Sequence, residues 1–158
     1  MTQQAISKIT ADAVLQTAIQ MEDVGRDFYE AVAAATEAPQ VRDLCLRLAT
    51  DELNHQKAFQ QMRSELARRG GTVLLSADDL AGARRSARAS VLPAPETVRQ
   101  MASRGDIHYL FDLAVQMEKD SIRFYRNFAV NFPDLGVLEA IIQKEQEHLR
   151  FLAAAAPA

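Results

Sequence analysis

The chain has no tryptophan, one cysteine and few residues that interrupt helices: 6 glycines and 5 prolines among 158 residues. A single cysteine excludes an internal disulfide and any Cys-x-x-Cys metal or redox unit. Scarce Gly and Pro, beside abundant Ala, Leu, Gln, Glu and Arg, argue against many short strands and for long helices. No apolar run approaches the roughly 18–20 residues of a membrane span. Acidic and basic residues nearly balance, with a net charge of −3, so no basic field gathers nucleic acid. The first residues, MTQQAISKIT, lack the apolar core and cleavage pattern of a secretory signal, and a cytoplasmic location is expected. The length suits one domain, 1–158, with a full apolar core.

Apolar periodicity predicts four long helices. The first runs from about Asp12 to Glu37, with Ala13, Leu15, Ala18, Ile19, Glu22, Gly25, Phe28, Tyr29 and Val32 on one stripe, and Pro39 marks the break. The second spans Gln40 to Arg69 and stops at Gly70-Gly71. The third opens at Asp106, a good N-cap residue, and ends near Asn131-Phe132-Pro133. The fourth runs from Asp134 to about Ala155. Short loops make helices one and two an antiparallel hairpin (12–69), and three and four another (106–155). Residues 70–105 carry four glycines and two prolines and are too long for a simple loop. A crossover between the hairpins explains them, with short helical turns at 78–86 and 96–103. The expected class is all-α, a four-helix bundle with one long crossover.

The chain also repeats itself. Residues 18–33 read AIQMEDVGRDFYEAVA, and 96 positions later residues 114–129 read AVQMEKDSIRFYRNFA. Ala, Gln, Met, Glu, Phe, Tyr and Ala coincide. Each copy is followed by Glu-x-x-His, as Glu52 to His55 and Glu145 to His148. In that motif positions i and i+3 share a helix face. All four glutamates, Glu22, Glu52, Glu118 and Glu145, fall on apolar stripes. Buried unpaired carboxylates cost several kcal/mol each, about 3–5 when a partner is missing. Two divalent cations would balance four carboxylates. An oxygen-rich set with two imidazoles, His55 and His148, suits iron or manganese better than structural zinc. These six residues are therefore the candidate ligands for two metal ions, and the four glutamates are the candidate catalytic groups.

Around them, Tyr29 and Tyr125 lie two turns beyond Glu22 and Glu118 and are expected to pack and hydrogen-bond a ligand carboxylate. Asp51 has two readings. It accepts a hydrogen bond from the outer nitrogen of a ligand histidine such as His148, or it is solvated; its counterpart in the second half is Lys144. Phe28, Phe124, Met21 and Met117 are read as core, Cys45 between Leu44 and Leu46 as a buried inert thiol, and His108 as an ordinary helix-start residue. Arg84, Arg85 and Arg88, near Arg68 and Arg69, are read as a solvated basic patch or a subunit contact.

At Met21-Glu22 with Phe28-Tyr29, Asp51-Glu52-x-x-His55, Met117-Glu118 with Phe124-Tyr125, and Glu145-x-x-His148, the sequence resembles the rubrerythrin branch of the ferritin-like superfamily. The resemblance covers both hairpins. It implies a ferritin-like bundle holding a non-haem di-iron centre, with two iron ions (manganese or a mixed pair as the alternative), in a homodimer or larger assembly. It further implies reduction of hydrogen peroxide or oxidation of ferrous iron by dioxygen. Two departures stand out. Rubrerythrins usually carry a rubredoxin-like domain with two Cys-x-x-Cys units, whereas this sequence has only Cys45, so electrons would come from an external donor protein or from Fe(II). The family also has a further glutamate three residues after the third-helix ligand; here that position is Ser121, and its first-half counterpart is Gly25. The remaining set is similar to bacterioferritin-type ferroxidase centres. Two other functions share the pattern: a non-catalytic iron-binding or storage protein, and a di-iron hydroxylase of an organic substrate similar to the demethoxyubiquinone hydroxylases.

Overall fold

The computed structural model describes residues 9–69, 74–75, 92–129 and 136–157. In chain order the elements are β1 (Ile9–Thr10), α1 (Ala11–Ala35), α2 (Pro39–Arg68), β2 (Leu74–Leu75), α3 (Pro95–Ser103), α4 (Ile107–Ala129) and α5 (Gly136–Ala155). The fold is all-α apart from β1 and β2, which pair antiparallel as Ile9 with Leu75 and Thr10 with Leu74, a contact that helical periodicity gave no reason to expect. The expected helical turn at 78–86, the basic cluster of Arg84, Arg85 and Arg88, and the helix limits at Gly70-Gly71 and 131–135 lie outside the described residues.

The α1–α2 connection shows how local chemistry sets the hairpin. Thr36 donates its backbone N–H to Val32 O at 2.9 Å, closing α1. Its hydroxyl accepts from the Ala38 N–H at 3.3 Å, and its carbonyl accepts from the Arg42 guanidinium at 2.7 Å. Pro39 starts α2 instead of merely separating two helices. Its ring pre-sets the helical φ, and the N–H it lacks has no partner in a first turn anyway. α1 and α2 then pack along their whole lengths, and α4 packs on α5. Arg63 reaches from α2 to Asp12 on α1, with its terminal nitrogen 3.0 Å from the second carboxylate oxygen.

The crossover contains a helix of its own. α3 starts at Pro95 and buries Val98 and Ala102, mainly against α1. It ends in a Schellman turn: the Gly105 N–H donates to Ala102 O at 3.2 Å and the Asp106 N–H to Met101 O at 3.0 Å. Gly105 has φ of 82°, the left-handed conformation that such a turn requires and that side chains disfavour.

Buried apolar residues fall into two clusters at different levels of the bundle. One gathers Phe28, Val32, Leu44, Leu48, Leu110, Phe111 and Met117, among others. The other holds Val14, Leu15, Ala18, Phe59, Met62, Phe124, Leu138 and Ile141. Along α1 the first cluster begins after Glu22 and the second ends before it. Along α2 Glu52 and His55 sit between Ala49 and Phe59 in the same way. A polar layer is thus held between two apolar ones. Phe59 is fully buried, its ring centroid 5.1 Å from that of Tyr125. Phe59→Ala is expected to destabilise the metal-free protein by about 3–5 kcal/mol. Urea unfolding checks this, and a loss under about 1 kcal/mol would show that the surrounding side chains close the gap.

Candidate metal centre

The side chains of the polar layer come from four helices, and the i,i+3 spacing places two pairs of them on one face each. Glu52 and His55 project together from α2, Glu145 and His148 from α5, Glu22 from α1 and Glu118 from α4. All six are buried. They form two overlapping groups: Glu22, Glu52, His55 and Glu145, and Glu52, Glu118, Glu145 and His148. Within each group the donor atoms lie within 4.8 Å of one another. Glu52 and Glu145 belong to both groups. One glutamate and one histidine remain particular to each. The structure therefore brings together all six side chains that the sequence singled out, within one chain.

The imidazoles face the layer through Nδ1. His55 Nδ1 lies 3.2 Å from Glu22 Oε2, 3.2 Å from Glu145 Oε1 and 3.6 Å from Glu52 Oε2. His148 Nδ1 lies 2.9 Å from Glu145 Oε2, 3.4 Å from Glu118 Oε1 and 3.6 Å from Glu52 Oε1. These approaches are close, yet both oxygens of Glu145 and Nδ1 of His148 have no hydrogen-bond partner among the described residues. Buried polar atoms that crowd together without aligning on one another are costly. Lone pairs that converge on a shared point, and not on each other, are what metal ligands present. His55 Nδ1 and Glu22 Oε2 do meet in a hydrogen bond at 3.2 Å, but the donor set and the orphaned atoms of Glu145 and His148 fit two divalent cations.

The surrounding polar side chains hold the layer in place, and they do so across the repeat. Tyr29 donates its hydroxyl to Glu118, and Tyr125 donates to Glu22. Each tyrosine serves the carboxylate of the other half, which spacing along one helix does not reveal. Burial, followed by the Glu118 charge for Tyr29 and the Glu22 charge for Tyr125, pushes both phenols well above their usual range. Both therefore stay protonated donors. Asp51 accepts from His148 Nε2 at 3.1 Å. That bond keeps a proton on the outer nitrogen, so Nδ1 is the atom that would ligate once it gives up its own proton. Its counterpart Lys144 instead pairs with Glu147 at 2.8 Å. Asp51 also lines a surface hollow of about 300 Å³ with Arg47, Leu48, Thr50 and Phe151. The rings of His55 and His148 stack with centroids 5.7 Å apart.

Protonation follows from this crowding. Burial opposes charging of His55, but Glu145 and Glu22 outweigh it and push the imidazole up to about 10. Burial is likewise overcome at His148 by Glu118 and Glu145, and it rises to about 11. Burial and then Glu145 raise Glu118 to about 8, against the pull of His148. Burial and then Glu145, Glu22 and Glu118 hold Glu52 well above the carboxylate range. At Glu145 burial pushes upward, and the two imidazoles more than reverse it, leaving it well below that range.

Other sequence expectations find their places. Phe28, Phe124 and Met117 are core, and Met21 is partly buried beside it. Cys45 is buried, and burial pushes its thiol up to about 12, so it is inert as a nucleophile. His108 is exposed in the first turn of α4. Asp120 gave no signal in the sequence. It is fully buried on α4 and accepts from Gln116 at 2.9 Å and Arg123 at 3.3 Å. Two positions beyond Glu118 it lies off the metal-facing stripe, and its counterpart Val24 is exposed.

The sequence model of the rubrerythrin family matches residues 13–156. The chain belongs to the rubrerythrin family. Its structure is similar to that of a Thermotoga maritima protein described as a ferritin-like diiron-carboxylate protein, with a TM-score of 0.74 and 22% identity. The similarity covers 93% of this chain and 94% of that one, and it shows a ferritin-like fold. No curated protein matches the chain in sequence. The rubrerythrin-family chain thus combines a ferritin-like bundle with two overlapping buried carboxylate/histidine clusters consistent with a binuclear metal site.

Two outcomes follow. Metal ligation needs neutral imidazoles, and both are protonated at pH 7 in the metal-free protein, so loading releases protons and affinity rises with pH through about 10, where His55 titrates, until about 11, where His148 follows. Calorimetry in buffers of different ionisation enthalpy reads the release directly; binding without proton release would contradict this assignment. Asp51→Ala frees the ring of His148 and is expected to weaken metal affinity about 10–100-fold. A competition titration against a chelator checks it.

Proposed function

We propose that this rubrerythrin-family protein is a di-iron oxidoreductase that reduces hydrogen peroxide, with dioxygen as the alternative oxidant, in peroxidase or ferroxidase chemistry. The observation that carries the reading is the pair of overlapping clusters with shared Glu52 and Glu145 and orphaned buried donor atoms. Glu22 and His55 would hold one ion, Glu118 and His148 the other, and Glu52 and Glu145 would serve both. Two ferrous ions supply two electrons at one buried place, the number that converts one peroxide and two protons into two waters.

The chain's own residues set the conditions for that reaction. The Tyr125 and Tyr29 hydroxyls orient the unshared carboxylates of Glu22 and Glu118. Asp51 fixes the ring of His148. The apolar clusters on either side exclude bulk water, which strengthens electrostatic interactions inside. Cys45 is buried and its thiol is raised, so it offers no electrons. Reducing equivalents would come from Fe(II) itself or from an external donor protein. A homodimer or larger assembly is part of the proposal.

Anaerobic Fe(II) titration of the metal-free protein should saturate at two ions per chain, one for each cluster. Glu52→Ala removes a ligand common to both and should abolish paired loading. Rapid mixing of the loaded protein with peroxide should oxidise the bound iron faster than free Fe(II). Zero stoichiometry, or oxidation no faster than in solution, would sink the proposal.

A further inference from the structure

Gly25 lies in the middle of α1, one turn beyond Glu22 and buried. Glycine inside a helix is less favourable than alanine. Crowding does not demand it here. A Cβ on Gly25 would stand 3.5 Å from Glu52 Cδ and 3.5 Å from Met117 Sδ, both ordinary contacts. Neither helix stability nor steric conflict therefore accounts for the glycine. What it leaves is a methyl-sized space that touches the shared carboxylate on one side and a thioether sulfur on the other. At the corresponding place in the second half stands Ser121, buried, with the Cβ and hydroxyl that Gly25 lacks.

Met117 is only 6% exposed, so bulk oxidant meets little of it. Met62 is as well buried, at 5%, but belongs to the other apolar cluster. The sulfur of Met117 is thus singled out by its position against the Gly25 space and not by exposure. Thioethers are readily oxidised to sulfoxides.

We propose that Met117 is an internal oxidation site of this protein, reached through the space beside Gly25. A lone pair of Sδ attacks one peroxide oxygen. An S–O bond forms and the O–O bond breaks. The other oxygen leaves with both protons as water, so the sulfide is oxidised by two electrons and the peroxide is reduced. The product is a polar sulfoxide against Glu52, in place of an apolar side chain. The inference rests on the proposed function only in taking peroxide as the molecule that enters the site.

The test exposes the iron-loaded protein to hydrogen peroxide without external reductant. Peptide mass spectrometry follows oxygen addition at Met117 and at Met62, and peroxide consumption is read on the same samples. Met117 is expected to gain one oxygen at least about tenfold faster than Met62. Gly25→Ala, whose methyl group fits the space, should remove that preference while the thermal melt shows an intact fold. Equal rates at Met117 and Met62, or a preference unchanged in Gly25→Ala, would overturn the proposal. Rapid peroxide consumption with Met117 intact would overturn it and leave the proposed function standing. Selective oxidation of Met117 without iron-dependent peroxide consumption would support it and count against that function.

Discussion

Four carboxylates and two imidazoles sit in the middle of an apolar bundle, and the surrounding structure answers to the cost of keeping them there. Buried charges of like sign repel strongly where the dielectric is low. In the metal-free protein the cost is met by protons: both imidazoles are pushed high, as are Glu52 and Glu118, while Glu145 between the two rings is held low. That is a compromise and not a satisfied network, because both oxygens of Glu145 and the inner nitrogen of His148 keep no hydrogen-bond partner among the described residues. Two cations at this candidate centre would remove the compromise: the same atoms that are unfavourable together would become a donor set.

Two apolar clusters make that layer possible. They pin four helices from either side so that side chains from α1, α2, α4 and α5 converge within a few ångströms. Tyr29 and Tyr125 tie the halves together by each serving the carboxylate of the other. A helix shift in one hairpin would therefore be felt at the ligand of the second. The geometry of a metal site depends on side chains held in this way.

The repeat frames the site, and its departures make the two halves different. Asp51 braces His148 from outside, whereas Lys144 at the matching place turns to Glu147. Gly25 leaves room beside Glu52, whereas Ser121 occupies the matching place. Asp120 is buried and bonded, whereas Val24 faces solvent. The internal repeat accounts for the six ligand candidates; these differences give each half a distinct environment.

Sequence alone determined the helices and the faces on which the six side chains lie. Apolar periodicity and the i,i+3 relation of Glu52 to His55 and Glu145 to His148 are local properties, set by 3.6 residues per turn. The repeat added the inference that both halves meet at one centre. Spacing along a helix fixes a side chain's direction but not what stands across from it. Only the tertiary structure decided that Glu52 and Glu145 are shared, that the tyrosine bonds cross between halves, that Asp51 meets His148, and that Gly25 opens toward Met117. The pairing of Ile9–Thr10 with Leu74–Leu75 was hidden for the same reason. Each depends on the offset between packed helices or distant segments, which many side chains fix together and no single motif encodes.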